Sequence, residues 1–264
     1  MNVPHGAFLF LSPVQTVVNS FASFSDCGRF SELSAAKLIF FVIDCFRAVC
    51  IGAISVGGDI NTLKLHGLAS EMEALLVIFS YLLGSVPSGL IIGKLSGLDV
   101  RKAGSGNIGA TNVARLLGRK GGLLTLVADT AKGLIPILLV QQIGLSDPIA
   151  ALVGIAAFLG HLYPIFLKFN GGKGVATGFG VLLGLAPLAI IILLAVFGAV
   201  AFTTRIVSLS SMITAIAAPL ILWLFYYSPT YIIMAAFMAT MIVFRHYANI
   251  QRLLNGTEPR FGTR

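Results

Sequence analysis

The sequence predicts an all-α polytopic membrane protein with about seven transmembrane helices from Met72 onward, and three observations carry that prediction. Of 264 residues, 57% are hydrophobic and 11% charged, about half the charged share of an ordinary soluble domain. The apolar residues form six runs, at 74–92, 123–142, 148–167, 175–204, 206–226 and 230–244, near or above the ~20 residues that cross hydrocarbon as a helix. The net charge of +8 sits mainly in the connections between those runs. There is no long Lys/Arg array and no nucleic-acid module, so the charge reads as a topology determinant first and a ligand site second, with no nucleic-acid partner.

Residues 1–71 differ in texture from the rest. They are Ser-rich over 20–34 and hold all three cysteines, Cys27, Cys45 and Cys50. No Cys-x-x-Cys or Cys/His spacing occurs, so neither disulfides nor zinc are expected to carry the fold. The apolar stretch 38–56 contains Asp44 and Arg47, costly in hydrocarbon unless paired, and is read as not spanning. Met72 precedes the first clean span. Residues 1–71 are therefore taken as an atypical extension, a start-site artefact or a poorly ordered tail, and 72–264 as the membrane-embedded domain.

The spans are oriented by the positive-inside rule. Lys94, Arg101, Lys102, Arg115, Arg119 and Lys120 place the first connection in the cytoplasm, and the start of the first span outside. Residues 141–148 carry no Lys or Arg and suit the outside; Lys168 and Lys173 return the third span inside. The run 175–204 is too long for one comfortable span, and Gly184, Ala186 and Pro187 form a natural break. Unbroken, it would leave Arg205, Arg245, Arg252, Arg260 and Arg264 outside. Broken at Pro187, it yields two short spans sheltered by their neighbours, and every basic residue falls inside. The C-terminus is then cytoplasmic and the motifs share one face.

Four segments carry chemistry. Gly-Ser-Gly-Asn-Ile-Gly-Ala-Thr-Asn from Gly104, followed by Arg115, is built of small residues that let backbone N–H groups converge on an anion beside an emerging helix end. Read alone, such a turn serves equally as a connector. It matches neither nucleotide-binding glycine motif. Asn-Gly-Gly-Lys-Gly from Asn170 flanks Lys173 with glycines where a span begins, suiting close approach of a phosphate to backbone and ammonium. Ser208, Ser210 and Ser211 form a hydroxyl cluster at the inner end of a span, and Arg245, His246 and Asn249 follow the last one. Each of these is bland alone; their shared location gives them weight. Asp129 and Lys132, three apart on one helix face, read as an intramembrane ion pair. His161, near Pro164, reads as a helix-packing residue that could also serve a site.

Taken in order, the motifs from Gly104, from Gly171 (Gly-Gly-Lys-Gly-Val-Ala-Thr), from Val207 (Val-Ser-Leu-Ser-Ser) and from Arg245 (Arg-His-x-x-Asn-Ile) resemble the bacterial acyl-phosphate-dependent glycerol-3-phosphate acyltransferase family. The resemblance covers about 72–261. It implies a multi-pass protein of the bacterial inner membrane with its active site facing the cytoplasm. The implied reaction moves a fatty acyl group from acyl phosphate to the 1-hydroxyl of glycerol 3-phosphate, giving lysophosphatidate and phosphate. It further implies an active-site set of Ser105, Arg115, Lys173, His246 and Asn249. Gly104, Gly106, Asn107, Asn112, Gly171, Gly172, Gly174, Ser208 and Ser211 would bind phosphate or line the site. No cofactor is implied and no metal-ligand set is visible. Arg115 and Lys173 would neutralise phosphate, and either His246 or a substrate phosphate would take the acceptor's proton. A soluble enzyme that makes the acyl phosphate could dock transiently on the basic loops.

Two other readings compete. Acyltransferases using thioester donors typically place an Asp five residues after a His, a pairing that His5, His66, His161 and His246 all lack. A phosphate-ester transporter would place its site near the midplane between internal repeats, and no repeat is evident.

Overall fold

The structure, a computed structural model, describes residues 60–262. The stretch 38–56 and the three cysteines lie outside those residues. By chain contacts, Glu71–Arg264 forms one compact unit. Among the described residues all regular structure is helical, without strands.

Helix α1 (Ile60–Ser85) and α2 (Ser88–Leu95) are separated at Pro87, whose ring removes a backbone donor and disfavours helical backbone at Val86. Together they give a 25-residue apolar stretch, Glu71–Leu95, that can cross a bilayer. A loop then leads to α3 (Ala110–Ile143), where Gly118 at φ 75° separates a short first segment from the span. Helix thus begins well before the 123–142 run, because its first turns are polar and give no span signal. Helix α4 (Asp147–Leu162) opens with Pro148 in its first turn, where the missing N–H costs nothing. It closes at Tyr163, which precedes Pro164 and is turned out of helical backbone.

The long fourth run divides as expected. Helix α5 (Val175–Leu185) ends at Ala186 (φ −143°, ψ 62°), and Pro187 opens α6 (Pro187–Thr204). Then come α7 (Val207–Leu224), α8 (Pro229–Arg245) and α9 (Tyr247–Leu254), the last bent 58° from α8. Among the described residues, five helical stretches are long and apolar enough to cross a membrane, or six with α8 and α9 taken as one. The seventh expected span corresponds to α5, which has 11 residues. At ~1.5 Å per residue it falls short of a ~30 Å hydrocarbon core.

Helix α5 is sheltered by protein. It packs against α3 at glycines: a Cβ at Gly133 would lie 2.2 Å from Thr177 O, and one at Gly180 would lie 2.0 Å from Thr130 O. Small residues let backbones approach where lipid supplies no hydrophobic drive for association. Phe158, Leu162, Ile137, Val181 and Met234 fill the interior. Leu123, Leu124, Ile191, Phe202, Trp223 and Ile233 are exposed, as expected of a surface that faces acyl chains.

Candidate active site

The first loop is organised from beneath by Asn112, in the first turn of α3. Its side chain is buried; Oδ1 accepts from Ser105 N–H at 2.8 Å, and Nδ2 faces Val100 O, Asn107 O and Ala103 O at 3.0, 2.9 and 3.2 Å. Asn107 closes a local turn by accepting Gly109 N–H at 2.8 Å. Gly104 (φ 61°) and Gly106 (φ 70°) take the left-handed backbone this path needs. Val100 and Ile108 are buried against Leu90 and Val113, and Leu167, just before the second loop, packs on the same cluster. Ser105, Gly104 and Gly106 lie on the exposed rim, as does Arg115. Asn112 and Asn107 therefore form the frame of the loop.

The second loop is gripped from both sides. Gly171 and Gly172 donate their N–H groups to Leu162 O and His161 O at 3.1 and 3.0 Å, using carbonyls that α4 leaves open at its end. Arg245 donates to the same glycines' carbonyls, from Nε to Gly172 O at 3.1 Å and from Nη2 to Gly171 O at 2.6 Å. Its guanidinium lies 5.6 Å from the centroid of the Tyr163 ring. Gly171 and Gly172 are thus spent on shape. Donors for an anion remain at Lys173 and at the start of α5, after Gly174 (φ 83°), where helical N–H groups have no intrahelical acceptors.

From Lys173 a relay runs to the C-terminal tail. Lys173 Nζ donates to Asn249 Oδ1. Asn249 Nδ2 donates to Glu258 Oε1 at 2.5 Å, Ser208 Oγ to Glu258 Oε1 at 2.6 Å, and Arg252 Nε to Glu258 Oε2 at 2.7 Å. The Glu258 side chain is 6% exposed. Burial pushes its carboxyl up, but hydrogen bonds from Ser208, Asn249 and Arg252 outweigh this and hold it below the ordinary value. Burial lowers Lys173 to about 8, with Arg252, Arg245 and Arg115 adding to the fall and Glu258 opposing it. The field of Arg115 thus reaches Lys173. His246, at the end of α8, is 2% exposed, and its Nδ1 lies 2.8 Å from Ile242 O. A donated Nδ1–H there leaves Nε2 as acceptor. Burial, then the charge of Lys173, lowers this imidazole to about 4, so it is neutral at pH 7.

Lys173, Asn249 and Ser208 therefore meet in one network, with His246 and Arg115 in its electrostatic reach. Ser211 instead bonds back to Val207 O at 2.9 Å. Glu258 was not among the residues expected from sequence, although a signal exists: after Asp147 it is the only acidic residue in the chain. A lone carboxylate among seven cations after Asp147 marks a hub only once the tail is seen to fold back. Among the described residues no group of three His, Cys, Asp or Glu could hold a metal.

This arrangement sets an ammonium just before the N-terminus of α5, within the field of the Arg115 guanidinium and beside apolar helices, and suits a ligand with phosphate and lipid parts. The family model described as glycerol-3-phosphate acyltransferase matches residues 74–256. A glycerol-3-phosphate acyltransferase of Trichlorobacter lovleyi is 50% identical over 182 residues, covering 69% of this chain and 94% of its own. One from Geobacter sulfurreducens is 49% identical over 189 residues, covering 72% and 97%. Crystal structures of PlsY, an integral membrane glycerol 3-phosphate acyltransferase, are similar in their glycerol 3-phosphate and lysophosphatidic acid forms. Their TM-scores are 0.71 and 0.69, at 44% identity over 73% of this chain and 96% of theirs.

Proposed function

Because this multi-pass membrane chain belongs to the glycerol-3-phosphate acyltransferase family, we propose that it moves a fatty acyl group from acyl phosphate to the 1-hydroxyl of sn-glycerol 3-phosphate. The products are lysophosphatidic acid and inorganic phosphate, and the reaction is the first acylation of phospholipid synthesis in the bacterial inner membrane. The observation that carries this reading is the Lys173–Asn249–Glu258 relay, set at the start of α5 within reach of the charge of Arg115.

In the reaction the acceptor hydroxyl attacks the acyl carbonyl, the bond from carbonyl carbon to the bridging oxygen breaks, and phosphate departs. Lys173 and Arg115 offset phosphate charge as it develops, and Asn249, held by Glu258, aims the ammonium. Ser105, Gly104 and Gly106 on the rim of the first loop contribute to the phosphate site, with Asn107 and Asn112 shaping it. Ser208 and Ser211 line the inner end of α7. An acyl phosphate is already activated, so no covalent enzyme intermediate is needed.

The proton goes to a substrate phosphate. An imidazole at about 4 is a weaker base than a phosphate dianion, whose second pKa is ~6. His246 Nε2 accepts from the acceptor hydroxyl and orients it. His246→Gln should therefore lower turnover but leave the shape of the pH profile unchanged; disappearance of an acid limb in that variant would establish histidine as the base.

The site faces the cytoplasm, with the start of the first span outside and the C-terminus inside, where a soluble donor-making enzyme could deliver acyl phosphate. Purified protein given radiolabelled glycerol 3-phosphate and palmitoyl phosphate in detergent should form lysophosphatidate. Retention of label without product would favour a transporter instead.

A further inference from the structure

Behind the two loops lies a charged cluster that the reaction does not use. Lys132 Nζ is 2.8 Å from Asp129 Oδ1, and His161 Nδ1 is 3.7 Å from the same oxygen. All three residues are at most 4% exposed. Ionisable groups at membrane depth are costly and mark function more often than stability. A buried pair of this kind could be exchanged for apolar residues at little cost, so stability alone gives a weak account of it.

Each arm of the cluster ends on the support of a different loop. Lys132 Nζ donates to Val86 O at 3.0 Å, at the break between α1 and α2. Helix α2 carries the first loop directly: a Cβ on Gly89 would lie 1.9 Å from Ile108 O. His161 backs the second loop, since its carbonyl accepts Gly172 N–H and its Nε2 would lie 2.1 Å from a Cβ on Gly172. Asp129 joins the arms. His161 Nδ1 is buried without a hydrogen bond, 3.7 Å from the Asp129 carboxylate, as expected of a group placed for geometry rather than for full satisfaction.

We propose that Asp129, Lys132 and His161 are positioning residues that together fix the spacing between the two glycine loops, and so between acyl donor and acceptor. The inference rests on the acyl-transfer reading above. Each loop is built by its own contacts, so each substrate still binds when the cluster is lost. What is lost is the alignment of hydroxyl and carbonyl, where displacement of about 1 Å can cost about a hundredfold in rate.

The test is the paired variant Asp129→Asn with Lys132→Met, which leaves no lone buried charge. It is assayed with glycerol 3-phosphate and palmitoyl phosphate beside the unaltered protein, with thermal unfolding in detergent measured on both. The expected result is a folded protein whose kcat is down about tenfold to a hundredfold, with the KM for each substrate little changed. Lys132→Arg, which keeps charge and a donor for Val86 O, should recover part of the loss. An unchanged kcat, or a rise in KM alone, overturns the proposal. If the paired variant does not fold, His161→Gln carries the same expectation with the ion pair intact, and its unchanged kcat is equally decisive. Absence of turnover in the unaltered protein would instead refute the acyl-transfer reading.

Discussion

Lys173 is the residue whose chemistry depends most on its surroundings. Its folded value of about 8 lies below the ordinary lysine value, so the ammonium is lost as pH rises through the upper end of the physiological range. For the free enzyme, kcat/KM should fall above about pH 8, while bound phosphate, by favouring the cation, should hold kcat to higher pH. Lys173→Arg, which does not titrate there, should abolish the alkaline limb at some cost in rate; a limb that survives in that variant belongs to another group. Glu258→Gln tests the other end of the relay. A neutral amide cannot accept from Ser208, Asn249 and Arg252 together without presenting its own N–H to one of them. Charged hydrogen bonds are worth ~1.5–3 kcal/mol, so kcat/KM should fall about tenfold or more, with a lower unfolding temperature. Activity within twofold of the unaltered protein would remove Glu258 from the site.

At the scale of elements, the sequence was most legible where backbone chemistry decides. The break at Pro187 and the glycine loops follow from residues that restrict or free the chain, and they stand where expected. The ion pair Asp129–Lys132 was also legible, being fixed by helix periodicity. What stayed hidden depends on distant segments. Nothing in the order of residues says that Asn112 is spent beneath the first loop, that Arg245 consumes the carbonyls of Gly171 and Gly172, or that the tail returns Glu258 to Ser208, 50 positions away. The α3–α5 contact is likewise tertiary. Gly180→Leu should drive a side chain into the Thr130 carbonyl and destabilise the protein by about 1–3 kcal/mol, the usual range of overpacking. A thermal midpoint unchanged in detergent would show that α3 and α5 are free to part.

At the scale of the whole molecule, the contacts constrain how α5 is used. Lys173 precedes α5, while Ser208 follows α6, and both belong to one network through Asn249 and Glu258. They therefore share a face, and the chain between them crosses an even number of times. Helix α6 has the length and apolarity of a crossing, so the proposed topology requires the 11-residue α5 to carry the chain to the opposite face. Helix α5 packs against α3, α4 and α8, and on that topology it would start below the level of the other loops. Such a start agrees with the burial that lowers the Lys173 ammonium. The parity is testable because all three cysteines lie upstream of Met72. A chain beginning at Met72 should keep its activity and contain no cysteine, giving a clean background. In intact cells, a membrane-impermeant maleimide should label Ser146→Cys, while Arg119→Cys and Thr257→Cys should react only after the membrane is opened. Labelling of Thr257→Cys from outside would mean that α5 turns back without crossing. Loss of activity on starting at Met72 would instead assign residues 1–71 a working part in the protein.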